Sequence, residues 1–258
     1  MATASFADMI KTIEDRSAAL RVAAAAAGLD ARVPGCPDWA VRDLVTHLGE
    51  VQRFWAAAVS AGPADGPPAG DQAPGDESPD AGSADDLMSW SAVATGELVR
   101  ALLEAGPDRA CWTWWRTTAA PATAGAVARH QVQEAGVHAF DAQDAGGHAE
   151  PLPRSVAADG IAEFATVGLA AMGPWPHQAG VVALAPEDGQ TWVVSLTPSG
   201  ARAAPGDPGD GPARPDARIR GTGSDIVLAL YGRRARQGLI IEGDKELAAR
   251  LLTWGNTE

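Results

Sequence analysis

Five histidines occur in the chain, His47, His130, His138, His148 and His177, and three of them fall in stretches with helical periodicity. In ARHQVQEAGVHAFDAQDA, His130, Glu134 and His138 recur every four residues, which sets them one turn apart on one helical face. Glu134 and His138 can therefore converge on a single ion. A third donor has to come from another helix. His47, in WAVRDLVTHLGEV, is the candidate, because it falls where Leu44, Val51 and Trp55 define an inward stripe. Two histidines and one glutamate bind Zn²⁺ and leave a fourth tetrahedral position open, the donor set of a catalytic rather than a structural site. Spacing alone leaves two alternatives standing. A glutamate and a histidine four apart also make an ordinary solvated pair, and His130 could replace His47 in a site built on one helix.

The elements that must carry these residues can be read from the pattern of apolar positions. Residues 5 to 27 predict a first helix ending at Gly28, and a turn, VPGCPD, leads to a second from about Ala40 to Val59. A third is expected from about Asp86 to Ala105, stopped by Gly106 and Pro107, and a fourth from about Ala122 to Ala145. Four such segments, one pair joined by a long connection, predict a four-helix bundle with a crossover. From Pro151 the texture changes. A helix from Ser155 to Ala171 precedes two strand-like runs, GVVALAP and QTWVVSLTP, that read as a hairpin. Two short strands follow within ARAAPGDPGDGPARPDARIRG, then helices at Ser224 to Tyr231 and Lys245 to Trp254 with a strand in GLIIEGD between them. The expected fold class is α+β in two domains, residues 1–148 and 152–258.

A length of 258 residues suits one large or two modest domains, and 46% hydrophobic with 21% charged residues is ordinary for a globular protein. A net charge of -13 opposes nucleic-acid and anionic-lipid partners. Seven of the acids (Asp65, Asp71, Asp76, Glu77, Asp80, Asp85 and Asp86) lie within residues 61–86, a Pro/Gly-rich stretch expected to be a flexible crossover loop. Elsewhere 26 acidic residues face 20 basic ones, so the global charge says little about the substrate. Arg233, Arg234 and Arg236 form a local cationic cluster that could receive an acidic ligand. There is no run long enough for a membrane span, and MATASFADMIKTIEDRS lacks the layout of a signal peptide, so a cytoplasmic location is expected. Two cysteines, Cys36 and Cys111, exclude a disulfide framework and a four-thiolate metal site. Both read as small buried thiols, Trp55, Trp90, Trp192 and Trp254 as core residues, and His148 and His177 as surface residues. Trp112, Trp114 and Trp115 cannot all face one way, and one of them could line a pocket entrance.

The segment PGCPDWAVRDLVTHLGEV resembles the opening motif of the mycothiol-dependent maleylpyruvate isomerase family, a branch of the DinB-like four-helix bundles. ARHQVQEAGVHAFDAQDA is similar to the same family's E-x-x-x-H-x-x-D helix. TWVVSLTPSG, RIRGTGSDIVLALYGRR and GLIIEGDKELAARLL resemble its C-terminal α+β domain. The resemblance implies a zinc site of His47, Glu134 and His138. It also implies a catalytic arginine matching Arg233, which would hold an acidic substrate group or the thiol cofactor, and the adjoining Arg234 is the alternative match and the candidate for cofactor binding. Where the family commonly has Ser or Thr as the N-cap of the second helix, this chain has Ala40, at a cost of about 1 kcal/mol. Asp43 then serves either the helix N-terminus or, four residues before His47, that imidazole. Asp141 has the same two readings, a partner for His138 or an exposed helix acid.

The implied chemistry is zinc activation of mycothiol as a thiolate for addition to a small electrophile at the interface between the two domains. The outcome is either cis–trans isomerisation of a maleylpyruvate-type enoyl acid or S-transfer. The implied partners are that small molecule and the low-molecular-weight thiol, in a monomer or homodimer. The Arg/Ala/Gly-rich, Lys-poor composition suits an actinobacterial genome. A different class of reading is a non-catalytic module that stores zinc or holds an apolar ligand.

Overall fold

A computed structural model describes residues 4–68, 83–206, 214–233 and 238–255. The fold is α+β, in two compact units, Ala4–Glu150 and Pro151 onward.

The first unit is built on four long helices: α1 (Phe6–Ala27), α2 (Val41–Ala61), α3 (Ala84–Ala105) and α4 (Ala124–Ala145). Each N-terminus is stopped chemically. Ser5 with Asp8 and Ser83 with Asp86 form reciprocal capping boxes, and the Thr123 hydroxyl accepts from the Ala126 amide. Asp86 is therefore the third residue of α3 rather than its first, and its hydrogen bond from the Ser83 side chain lowers its pKa. At α2 the Asp43 carboxylate accepts from the Ala40 amide at 2.7 Å. Half of a capping box survives where the cap side chain is missing, which assigns Asp43 to the helix end.

Packing follows side-chain size. α1 lies against α4 and α3, and α2 against α3 and α4. Ala135, Ala139 and Ala142 let α4 close on its neighbours, in a core shared with Leu20, Leu44 and Leu48. A buried polar chain ties three helices together. Gln52 donates to Ser17 and its carbonyl accepts from Thr95, both at 2.8 Å, and Arg21 reaches the same threonine. The VPGCPD segment is not a plain turn. It is a small antiparallel hairpin of β1 (Arg32–Val33) and β2 (Cys36–Ala40), because Val33 and Cys36 bury against the core. Of the acidic stretch 61–86, residues 69–82 lie outside the described ones.

The second unit begins with α5 (Arg154–Glu163). It continues through a π-helical turn (Phe164–Gly168) into α6 (Leu169–Ala171), so the expected single helix is interrupted where Leu169 donates back to Phe164. A five-stranded sheet follows, β3 (Gly180–Pro186), β4 (Trp192–Thr197), β5 (Gly200–Pro205), β6 (Ala217–Gly221) and β7 (Ile240–Gly243), in the order β5-β4-β3-β6-β7. Only the β3–β6 pair is parallel. α7 (Gly223–Leu230) and α8 (Lys245–Trp254) pack on β3 and β6. Trp90, Trp192 and Trp254 are half-buried rather than core residues, Trp90 packing against the edge of the bundle core. Among the described residues no helix is long and apolar enough to cross a membrane.

Candidate metal centre

The contact between α2 and α4 decides the site, because it brings together residues far apart in sequence. His47 lies in the second turn of α2, whose start is pinned by backbone bonds from Val41 to Ala31 and from Arg42 to Leu29. Those bonds also hold β2 across the helix start. Trp39 thereby comes to lie 4.9 Å from the His47 ring and stacks near His138 at 6.3 Å. The His47 and His138 rings meet edge-on at 5.1 Å.

One donor atom from each of His47, Glu134 and His138 lies within 4.8 Å of the other two. His138 Nε2 and Glu134 Oε2 are 3.4 Å apart. Two ligands on one tetrahedral zinc with bonds of 2.0–2.1 Å stand about 3.3 Å apart, so this edge already has the length that a shared ion requires. Asp141 Oδ2 lies 3.1 Å from His138 Nδ1, which leaves Nε2 to face the other donors. The structure thus assigns Asp141 to His138 rather than to solvent. The donor set fits a divalent metal.

The electrostatics agree with the geometry. Burial alone would raise Glu134, but the hydrogen bond from His138 and the charges of His130, His138 and His47 outweigh it and hold the carboxyl at about 2. Burial alone would lower His138, yet its hydrogen bonds to Asp141 and Glu134 push it up to about 9. A carboxylate and an imidazole are kept facing each other, each favouring the other's charge.

His130 points to the other oxygen of Glu134, its Nε2 at 3.6 Å from Oε1. Its ring is enclosed by Trp55, Trp115 and Trp114 at centroid distances of 5.8, 5.3 and 5.8 Å. Of the three clustered tryptophans, Trp112 and Trp115 are buried and Trp114 is exposed. Trp55 is buried, and His148 and His177 are exposed.

Arg233 belongs to the second unit. It is buried, and its Nη1 donates to the Tyr231 carbonyl at 2.6 Å. Arg234 and Arg236 lie outside the described residues. Cys36 and Cys111 are both buried, and burial pushes the Cys111 thiol up to about 11. Helical spacing gives Trp39 no role at the site; its signal in the sequence is its place in the family motif, two residues before α2.

The family described as mycothiol maleylpyruvate isomerase N-terminal domain matches residues 10–143, and the MDMPI C-terminal domain matches residues 155–250. Two crystal structures are similar over most of their length, one of the mycothiol-dependent maleylpyruvate isomerase and one of a histidine-to-alanine mutant of it. They are each 14% identical, with TM-scores of 0.61 and 0.62, covering 94% of this chain and 96% of the other. At that identity the likeness establishes the fold alone. No curated protein matches the chain. Matches to both family domains, in order and spanning both units, establish that the chain belongs to the mycothiol maleylpyruvate isomerase family.

Proposed function

We propose that this protein is a cytoplasmic zinc-dependent enzyme that uses mycothiol to act on a small electrophilic acid, with cis–trans isomerisation of a maleylpyruvate-type substrate as its reaction. The observation that carries the reading is the convergence of His47, Glu134 and His138 on one point in the family's bundle. His47, Glu134 and His138 would hold zinc there, and the ion would supply the Lewis acidity that makes a thiol a thiolate at neutral pH.

The chain's own residues set the conditions. Two neutral imidazoles and one carboxylate leave one positive charge of a divalent ion uncompensated, a match for one anionic sulfur. Asp141 holds a proton at His138 Nδ1, so that Nε2 carries the lone pair. Trp39 lies beside both imidazoles and gives them an apolar wall on that side. Arg233 is assigned to the acidic group of the substrate, since a guanidinium fixed by the Tyr231 carbonyl keeps its charge when buried and binds carboxylates in a fork. Arg234, which follows it, is assigned to the thiol cofactor.

Elemental analysis of the purified protein and a stopped assay with mycothiol and maleylpyruvate test the reading together. The expected result is one equivalent of zinc and loss of the cis substrate with free thiol undiminished. Stoichiometric consumption of thiol would instead make the protein an S-transferase. Protein without metal, and without turnover when zinc is added, would leave only a binding module.

A further inference from the structure

His130 is the one histidine of the α4 stripe outside the three-donor cluster, and its surroundings are too specific for a spare helix residue. The two oxygens of Glu134 face different imidazoles, Oε2 toward His138 Nε2 at 3.4 Å and Oε1 toward His130 Nε2 at 3.6 Å. The second distance lies just beyond a full hydrogen bond, with the Nε2 edge of His130 turned to the carboxylate oxygen. The His130 ring cannot readily turn away. Trp55 and Trp114 meet it edge-on at 72° and 75°, and Trp115 lies against it at 59°. Trp115 is itself anchored, its indole N–H donating to the Pro121 carbonyl at 2.8 Å.

From this geometry we infer that His130 is a positioning residue, held by the three indoles, that occupies Glu134 Oε1 and so commits Glu134 to binding the metal through one oxygen. The inference rests on the metal reading above and extends it. A carboxylate can bind an ion through one oxygen or two. With Oε1 engaged by His130, Glu134 supplies a single bond and the fourth position stays open. With Oε1 released, the second oxygen can swing onto the ion and fill that position. The tryptophan cluster then has a role beyond packing, because it sets the coordination number of the site through one imidazole.

Cobalt(II) reports coordination number by the intensity of its visible bands, which are strong in four-coordinate sites and weak in sites of five or six. The test compares cobalt-loaded wild type with His130→Phe, which fills the indole enclosure without a polar atom, and His130→Gln, which restores an N–H at a similar reach. Wild type and His130→Gln are expected to give intense four-coordinate spectra. His130→Phe is expected to keep one equivalent of cobalt with a several-fold weaker spectrum, and to lose about tenfold or more of its metal affinity against a chelator. An unchanged spectrum in His130→Phe overturns the inference and leaves the metal site intact. Loss of cobalt from both variants also overturns it, by making His130 a ligand or a residue the fold itself requires. Wild type that takes up no cobalt ends the metal reading itself.

Discussion

Asp141 Oδ2 stands 3.1 Å from His138 Nδ1, one turn further along α4, and both side chains are buried. A carboxylate in that position fixes the imidazole's tautomer and makes Nε2 a stronger donor. In Asp141→Asn the side-chain shape stays while the charge goes. Zinc affinity, read by competition with a chelator, is expected to fall about 10- to 100-fold with little change in the far-UV spectrum. An unchanged affinity would show that Asp141 only packs against its neighbour.

Proton linkage gives a second expectation. In the metal-free protein His138 titrates near 9 and Glu134 near 2. Metal requires neutral His138, so binding at pH 7 releases a proton, and affinity should rise by about tenfold per pH unit until pH 9 and then level off. Glu134 contributes no slope there, because it is already ionised. Calorimetric titration in two buffers of different ionisation enthalpy counts the protons released.

The same shift acts on stability. A histidine whose pKa is raised by folding stabilises the metal-free protein fully below its unfolded value of about 6.5, and that contribution is lost as pH rises through 9. Metal-free protein should therefore melt at progressively lower temperature between those pH values, while metal-loaded protein, whose His138 is neutral throughout, should not follow this trend. Parallel melting curves would refute the assignment.

Arg233→Ala separates binding of the metal from binding of the acid. Turnover is expected to fall by on the order of 10²-fold, as when a positioning charge is removed, while zinc content stays at the wild-type value. Unchanged turnover removes Arg233 from the site.

Gly49 is a packing requirement of the bundle rather than of the chemistry. A Cβ there would stand 2.1 Å from Trp90 Cζ3, so Gly49→Ala must displace an indole that also stacks under Arg53. The expected loss is about 1–3 kcal/mol in denaturant unfolding, with a shifted tryptophan emission.

How much of this could be read from the residue string depends on the distance over which each signal acts. The period of α4 fixes which side chains share its face, so the nearness of Glu134 to His138 needs only local information. His47 required a second helix, and periodicity could say that it faced inward but not which helix it faced. That choice came from the family motif. Asp141 stayed ambiguous because an i, i+3 carboxylate looks the same in sequence whether water or protein surrounds it. Burial separates the two, and burial is a tertiary property. The β1–β2 hairpin escaped because strands of two and five residues are too short for a period to show, and the place of Trp39 beside both imidazoles is a tertiary contact. The π-helical turn at Phe164–Gly168 escaped because one added residue per turn hardly disturbs the apolar pattern.

The two cysteines gain a meaning in this chemistry. An enzyme that handles thiol-seeking electrophiles is exposed to alkylation by its own substrate. Both of its thiols are withdrawn from solvent, and Cys111, with its pKa near 11, carries almost no thiolate at neutral pH. Under the proposed reaction the protein would be chemically quiet toward its own substrate, with the nucleophilic sulfur brought in as cofactor.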